Sequence, residues 1–338
     1  MNRVVKIWLI IGASLVLIGA IIFGGVMTTL DWDFLSLSTE KYVTNEYEIS
    51  DSYDNIKIIT DTADIIFVPS ENTKVVCYEE TKIKHLVTVK DDTLVIEVND
   101  TRKWYEHIGI NFGSPKITVY IPKGEYGELV VKASTGDTEI PKEFKFESID
   151  ISQSTGNVKC LSSAGGDIKI KTSTGNVKCL SSAGGDIKIK TSTGNITTEK
   201  INADSLSLTV STGEINVSDI ECTGDLSIKV STGKVSLKNV TCNNIISTGN
   251  TGGITLNNVI AKENFSVTRS TGNVKLIGCD AGEITITTDT GDVLGTLLSD
   301  KVFITKTDTG SVKVPETLSG GKCKITTDTG NIKIEIKK

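Results

Sequence analysis

From residue 136 onward, apolar and polar positions alternate in short runs that return every 19 or 20 residues. A glycine, most often within Ser-Thr-Gly or Asp-Thr-Gly, marks each return: Gly136, Gly156, Gly175, Gly194, Gly213, Gly233, Gly252, Gly272, Gly291, Gly310 and Gly330. Apolar side chains fall two and four places after it, as in Val158/Cys160, Val177/Cys179, Ile215/Val217, Val235/Leu237, Val274/Leu276, Val312/Val314 and Ile332/Ile334. A period of two is that of a half-buried strand. Several units add a third apolar residue seven places on (Ile201, Ile220, Val240, Val259, Leu298). A second alternating run follows in Ile168/Ile170, Leu206/Leu208, Leu226/Ile228, Phe265/Val267 and Ile284/Ile286.

Residues 154–172, STGNVKCLSSAGGDIKIKT, recur without a change at 173–191. A stack of coils accepts one more unit because each coil touches only its neighbours. The pattern therefore predicts an all-β fold, a parallel β-solenoid (β-helix) with 19–20 residue coils and two main strands per coil. At a strand spacing of ~4.8 Å, ten such coils would make a rod roughly 50 Å long. Each glycine supplies the positive φ of a tight corner, and the Ser or Asp two places before it is expected to hydrogen-bond backbone there. The charged final strand, with Lys333, Glu335, Lys337 and Lys338, is expected to close the end of the stack against further strand addition.

The N-terminal part breaks this rhythm. Ile7–Leu30 contains no charge and is long enough to cross a hydrocarbon core of ~30 Å. Arg3 and Lys6 precede it and Asp31 and Asp33 follow, so the positive-inside rule predicts a single-pass cell-membrane protein with a cytoplasmic N-terminus and an extracytoplasmic remainder. A cleaved signal peptide is the competing reading, but the stretch exceeds the usual apolar region and no A-x-A site follows. The expected organisation is a cytoplasmic N-terminus (1–6), a transmembrane anchor (7–30), a linker (31–41), an irregular β-rich cap or first coils (42–131) and regular repeats (132–338). Within the cap, DTADIIF at 61–67 reads as a degenerate coil.

Composition narrows the chemistry. Aromatic residues are only 5% of the chain, which suits a thin core of small and β-branched side chains. A net charge of -6, with no dense Lys/Arg stripe along the chain, predicts no nucleic-acid partner. Seven cysteines cannot form a fully paired intramolecular framework, and without a C-x-x-C spacing they read as apolar core filler. Two histidines, His85 and His107, are few for histidine-based catalysis or a multi-His metal site. Trp104, Tyr105 and His107 form the one aromatic cluster outside the anchor, read as a strand cover or cap rather than a binding loop.

Three patterns resemble chemical motifs. Asp-Thr-Gly at 289–291, 308–310 and 328–330 is the aspartic-protease triplet, yet here it stands in phase with the Ser-Thr-Gly corners. Stacked Asp289, Asp308 and Asp328, with Asp292 beside them, offer oxygen ligands of the kind Ca²⁺ takes, but the calcium-binding nonapeptide pattern is absent and solvated corners are the expectation. Thr-x-Thr pairs such as 172/174, 191/193 and 327/329 resemble ice-binding arrays and read as threonine ladders on parallel strands. No catalytic, cofactor-binding or metal-binding residue is assigned, and no cofactor is expected.

The anchor, the Ile121-Pro122 segment before the repeats and the recurring STGN/STGD corners make the chain resemble the bacterial "putative adhesin" family of β-strand repeats with unknown function, over roughly residues 45–338. The resemblance implies a non-enzymatic cell-envelope protein with a solenoid ectodomain, acting as an adhesin or structural scaffold, with some relatives tied to envelope stress. Its partners would be the membrane, through the N-terminal helix, and an envelope or surface protein or polysaccharide. The alternative is a carbohydrate-active β-helix enzyme acting on envelope polysaccharide, which would need an outward carboxylate cluster with a basic partner on adjacent coils.

Overall fold

The computed structural model describes residues 2–33, 41–103 and 113–337. One helix, α1 (Arg3–Thr29), precedes strands that form two 15-stranded sheets. The fold is an all-β parallel β-solenoid. Each coil places one strand in each sheet, as in β17 (Leu206–Thr212) with β18 (Ile215–Cys222) and, one coil on, β19 (Asp225–Thr232) with β20 (Val235–Cys242). Pairing is in register: Leu206 lies beside Leu226, and Ile215 beside Val235. Like side chains therefore stack in columns. Val158, Val177, Ile196, Ile215, Val235, Ile254, Val274 and Val293 make one buried column of one sheet. The core is the line where such columns from the two sheets meet.

The corner glycines adopt φ between +125° and +158°. They also pack too closely for a side chain: a Cβ on Gly213 would sit 2.0 Å from the carbonyl oxygen of Gly194. The hydrogen bond to the corner carbonyl comes from the inward threonine three places before the next glycine, not from the Ser or Asp two places before it. Thr191 Oγ1 donates to Gly175 O (3.0 Å), and Thr327 Oγ1 to Gly291 O (3.1 Å). The first threonine of each Thr-x-Thr pair thus points into the core. The residue after each glycine forms a second ladder. The amides of Asn157, Asn176, Asn195 and Glu214 donate to the side chains of Asp137, Asn157, Asn176 and Asn195.

The third inward residue follows a left-handed residue, seen at Lys200, Asp219, Asn239, Asn258 and Gly278. That twist turns Ile201, Ile220, Val240, Val259 and Cys279 into the core. Leu298 departs from the expectation. The register shifts between Leu276 and Cys279 so that Cys279 pairs with Leu297, which is buried while Leu298 is 44% exposed.

Both ends of the rod invert the chain order. Near the N-terminus, β2 (Asn55–Thr62) and β3 (Asp64–Pro69) lie between the coil of β8 (Gly124–Thr135) and β9 (Thr138–Ile140) and the coil of β6 (Thr93–Asp100) and β7 (Lys116–Ile121). Antiparallel strands β1 (Tyr42–Glu48), β4 (Lys74–Glu80) and β5 (Ile83–Lys90) close that end. At the other end, β29 (Gly321–Thr329) and β30 (Ile332–Ile336) slot between β25 (Glu283–Thr290) with β26 (Val293–Leu297) and β27 (Lys301–Thr309) with β28 (Val312–Lys313). The charged final strand is therefore internal, and residues 301–313 form the outermost coil. With no coil beyond them, Val312 stands 44% exposed and Val314 only half-buried, against the inward placement the pattern predicted.

Candidate functional site

The densest polar cluster of the described residues lies under the N-terminal cap, where β1, β4 and β5 close over β2. The turn after β4 brings Glu79 and His85 face to face, both almost fully buried. Glu79 Oε2 accepts from the His85 amide (2.7 Å) and stands 2.7 Å from Nδ1 of its ring. Asn45 Nδ2 donates to Glu79 Oε1 (2.6 Å), and His85 Nε2 lies 2.9 Å from Thr60 Oγ1. Tyr47 donates its hydroxyl to the His85 carbonyl (2.9 Å). Burial alone would raise the Glu79 carboxyl, but the hydrogen bonds from His85 and Asn45 outweigh it and hold the group below its ordinary value. A cavity of about 260 Å³ opens beside the cluster, lined among others by Thr60, Asp61, Glu79, Glu80, His85 and Arg102.

Two kinds of chemistry meet in this arrangement. Cys77, Glu79 and His85 bring three ligand atoms within 4.8 Å of one another, a set that suits a borderline-soft divalent metal. Thr60, His85 and Glu79 also stand in the order hydroxyl, imidazole, carboxylate, at hydrogen-bond distances. Against a metal, both ring nitrogens and both Glu79 oxygens already carry hydrogen bonds, and burial with the nearby Glu79 charge pushes the Cys77 thiol up to about 12. Against hydroxyl chemistry, Thr60 is only 3% exposed. The cluster is complete as a hydrogen-bonded clasp that ties four strands together.

The other sequence candidates are placed differently. Asp289, Asp308 and Asp328 are exposed corner residues, and the inverted end puts Asp328 between the other two. Asp292 belongs to the corner ladder and accepts from the Asn331 amide at 2.7 Å. All seven cysteines are buried and free, with Cys323 also pushed up to about 12 by burial. Trp104, Tyr105 and His107 lie outside the described residues. Sequence reasoning missed two features. Arg269 is buried in the core, donating to Ser247 Oγ (2.9 Å) over the space left by Gly249. The signal was present in the second Ser-Thr-Gly at 247–249, where Ser247 and Gly249 replace bulkier inward residues. The Glu79–His85 pair was legible only as polar residues at inward positions of an alternating run.

Some solved structures are similar to this chain. A "putative adhesin" from Parabacteroides distasonis shares 13% identity, covering 75% of this chain and 98% of its own, with a TM-score of 0.41. A "putative lipid binding protein" from the same organism shares 17%, covering 76% and 98%, with a TM-score of 0.36. A "putative adhesin" from Bacteroides fragilis shares 17%, covering 87% and 97%, at 0.28. No curated protein matches. The family model described as Toastrack DUF4097 matches residues 53–238 and 220–338, which takes in every coil and all of the clasp except Asn45 and Tyr47 of β1, and the chain belongs to that family.

Proposed function

We propose that this chain is a non-enzymatic, membrane-anchored interaction module that displays its solenoid outside the cytoplasm, adhesin-like or as a scaffold of the cell envelope. The observation that carries this reading is α1. Its 27 residues span ~40 Å at the usual helical rise, its most apolar 18-residue stretch has a mean hydropathy of 2.6, and none of that stretch is buried against protein. Leu15, Val16 and Leu17 stand 62–75% exposed. A helix that is apolar all round and covered by no protein calls for lipid. Arg3 and Lys6 at one end and Asp31 and Asp33 at the other orient it with the solenoid outside. The solenoid itself supports an interaction role, because its interior is filled and its repeating faces are what it offers to partners. An envelope-stress role would run through such a partner.

The test is protease accessibility of a tag placed after Lys338, in intact cells or spheroplasts and after permeabilisation, with the mass of the mature chain read alongside. Digestion in intact cells together with a retained α1 supports an anchored, outward solenoid. Protection until the membrane is opened overturns the topology. A mature chain lacking α1 makes the helix a signal sequence and overturns the anchor.

A further inference from the structure

Stacking in register turns residues 19 or 20 apart in sequence into lines on the surface. One outward column of the sheet that holds β8, β13 (Ile168–Thr174), β15 (Ile187–Thr193) and β17 reads Ile59, Lys132, Ser152, Lys171, Lys190, Thr209, Lys229, Thr248, Thr268, Thr287, Thr326, Lys306. It carries five lysines, and its one carboxylate, Glu97, lies beyond Ile59 at the N-terminal end. The neighbouring column adds Lys57, Lys169, Lys188 and Lys324, against Asp150 alone. Asp150 pairs with Lys169 at 3.4 Å; among the described residues Lys171, Lys188 and Lys190 have no carboxylate within 4 Å. On a chain of net charge -6 this is a segregated basic band. It is two side chains wide, so ~7 Å, and at ~4.8 Å per coil it runs some tens of ångströms.

The tandem duplication builds the densest part of the band. Each copy contributes two lysines to it, and register places Lys169 beside Lys188 and Lys171 beside Lys190. Four ammonium groups on one flat face repel one another unless an anion lies among them. We propose that this band binds a linear polymer of phosphate groups lying along the rod axis. Lysine is a point-charge phosphate binder, and a narrow line of charge matches a single extended chain. A flat anionic membrane fits less well, because the band is flanked along the strand starts by Glu128, Asp167 and Asp186, which line a groove beside Lys169 and Lys188. Nucleic acid also fits less well, since no aromatic ring stands in either column on which a base could stack. The inference deepens the interaction-module reading by naming a partner class.

The test uses the full chain in nanodiscs of neutral phosphatidylcholine, with inorganic polyphosphate as the probe and affinity read across salt concentrations. Lys171→Thr/Lys190→Thr is compared with Lys159→Thr/Lys178→Thr, which removes the same charge from the same two coils on the opposite sheet. Threonine already occupies the next place of each column, Thr209 beside Lys190 and Thr197 beside Lys178, so both variants are expected to fold, and circular dichroism checks this. The expected result is that the band variant loses at least tenfold in affinity and that its slope of log K against log salt falls by about 2, one unit per phosphate contact. The opposite-sheet variant stays within twofold of the parent. Equal losses in both variants, no binding by the parent, or cosedimentation with phosphatidylglycerol vesicles in place of polyphosphate binding would each overturn the proposal. Because binding is measured on purified protein, its outcome is independent of the cellular topology test, and either can fail alone.

Discussion

Replacing Gly213 by alanine tests the corner in its most demanding form. Gly213 adopts φ +145°, in a region that residues with a Cβ rarely enter, and its Cβ would meet the Gly194 carbonyl at 2.0 Å for oxygen and 2.7 Å for carbon. The dihedral alone costs about 1–3 kcal/mol. Relieving an overlap with backbone requires two coils to move apart, which adds about 1–3 kcal/mol of the kind seen on overpacking. The expected loss is therefore roughly 2–6 kcal/mol. Gly165→Ala is the matched control. That glycine also lies at a corner, but its φ lies outside the left-handed region and its Cβ would meet nothing nearer than Phe146 O at 3.9 Å. Both changes reduce unfolded-chain entropy alike, so their difference isolates the native cost. Equilibrium denaturation in a nonionic detergent gives the difference, and hydrogen exchange should show fast opening confined to the coils around 194–233, since lesions in a stack act on neighbours. If Gly213→Ala and Gly165→Ala agree within about 0.5 kcal/mol, the steric account of the corners is wrong.

Three further outcomes are expected. The Glu79 carboxyl is held below its ordinary value of 4.5 in the folded chain, so its stabilising contribution is present above that pH and drains away as pH falls through the folded value; the melting temperature of the parent should drop more steeply below pH 4.5 than that of Glu79→Gln, and parallel slopes would refute the linkage. The seven buried thiols should resist iodoacetamide in the native chain at pH 8 and all react once it is unfolded; rapid native labelling of any one would contradict its burial. The inverted C-terminal order predicts that cysteines placed at Thr290 and Thr329, which are direct strand neighbours, form a disulfide, while a pair at Thr290 and Thr309 does not; the reverse result would restore the order of the sequence.

The solenoid was legible because each coil must satisfy the coil beside it. A residue that faces the core in one coil needs an apolar neighbour in the next, so the fold writes its own period into the chain. The same property hid the order of the end coils. Gly310 and Gly330 head units with the same corner, and either presents the right register to Gly291. What decides between them is length of connection. β28 is cut to Val312–Lys313, which frees residues 314–320 to return over the outermost coil, and Pro315 interrupts the strand. The missing apolar residue seven places after Gly310, where Thr317 stands, is the trace this left in the sequence.

The clasp and the lysine band were hidden for opposite reasons. Glu79 and His85 carry no motif, because a buried polar pair is specified by what surrounds it, and its partners Asn45 and Thr60 come from two other strands, 34 and 25 residues away in sequence. The band is dispersed at intervals that no local window spans, and the chain reads as mildly acidic with scattered lysines. Folding collects them, because a coil that repeats its register converts any surface preference into a line. It follows that a tandem copy of one unit changes more than the length of the rod. Inserted without a change at 173–191, the second copy left every core column continuous and set Lys188 and Lys190 directly beside Lys169 and Lys171. In a solenoid, unit duplication is thus a one-step route to a multivalent face: the core tolerates the copy because its contacts are identical, and the surface gains charge density that no single coil could hold.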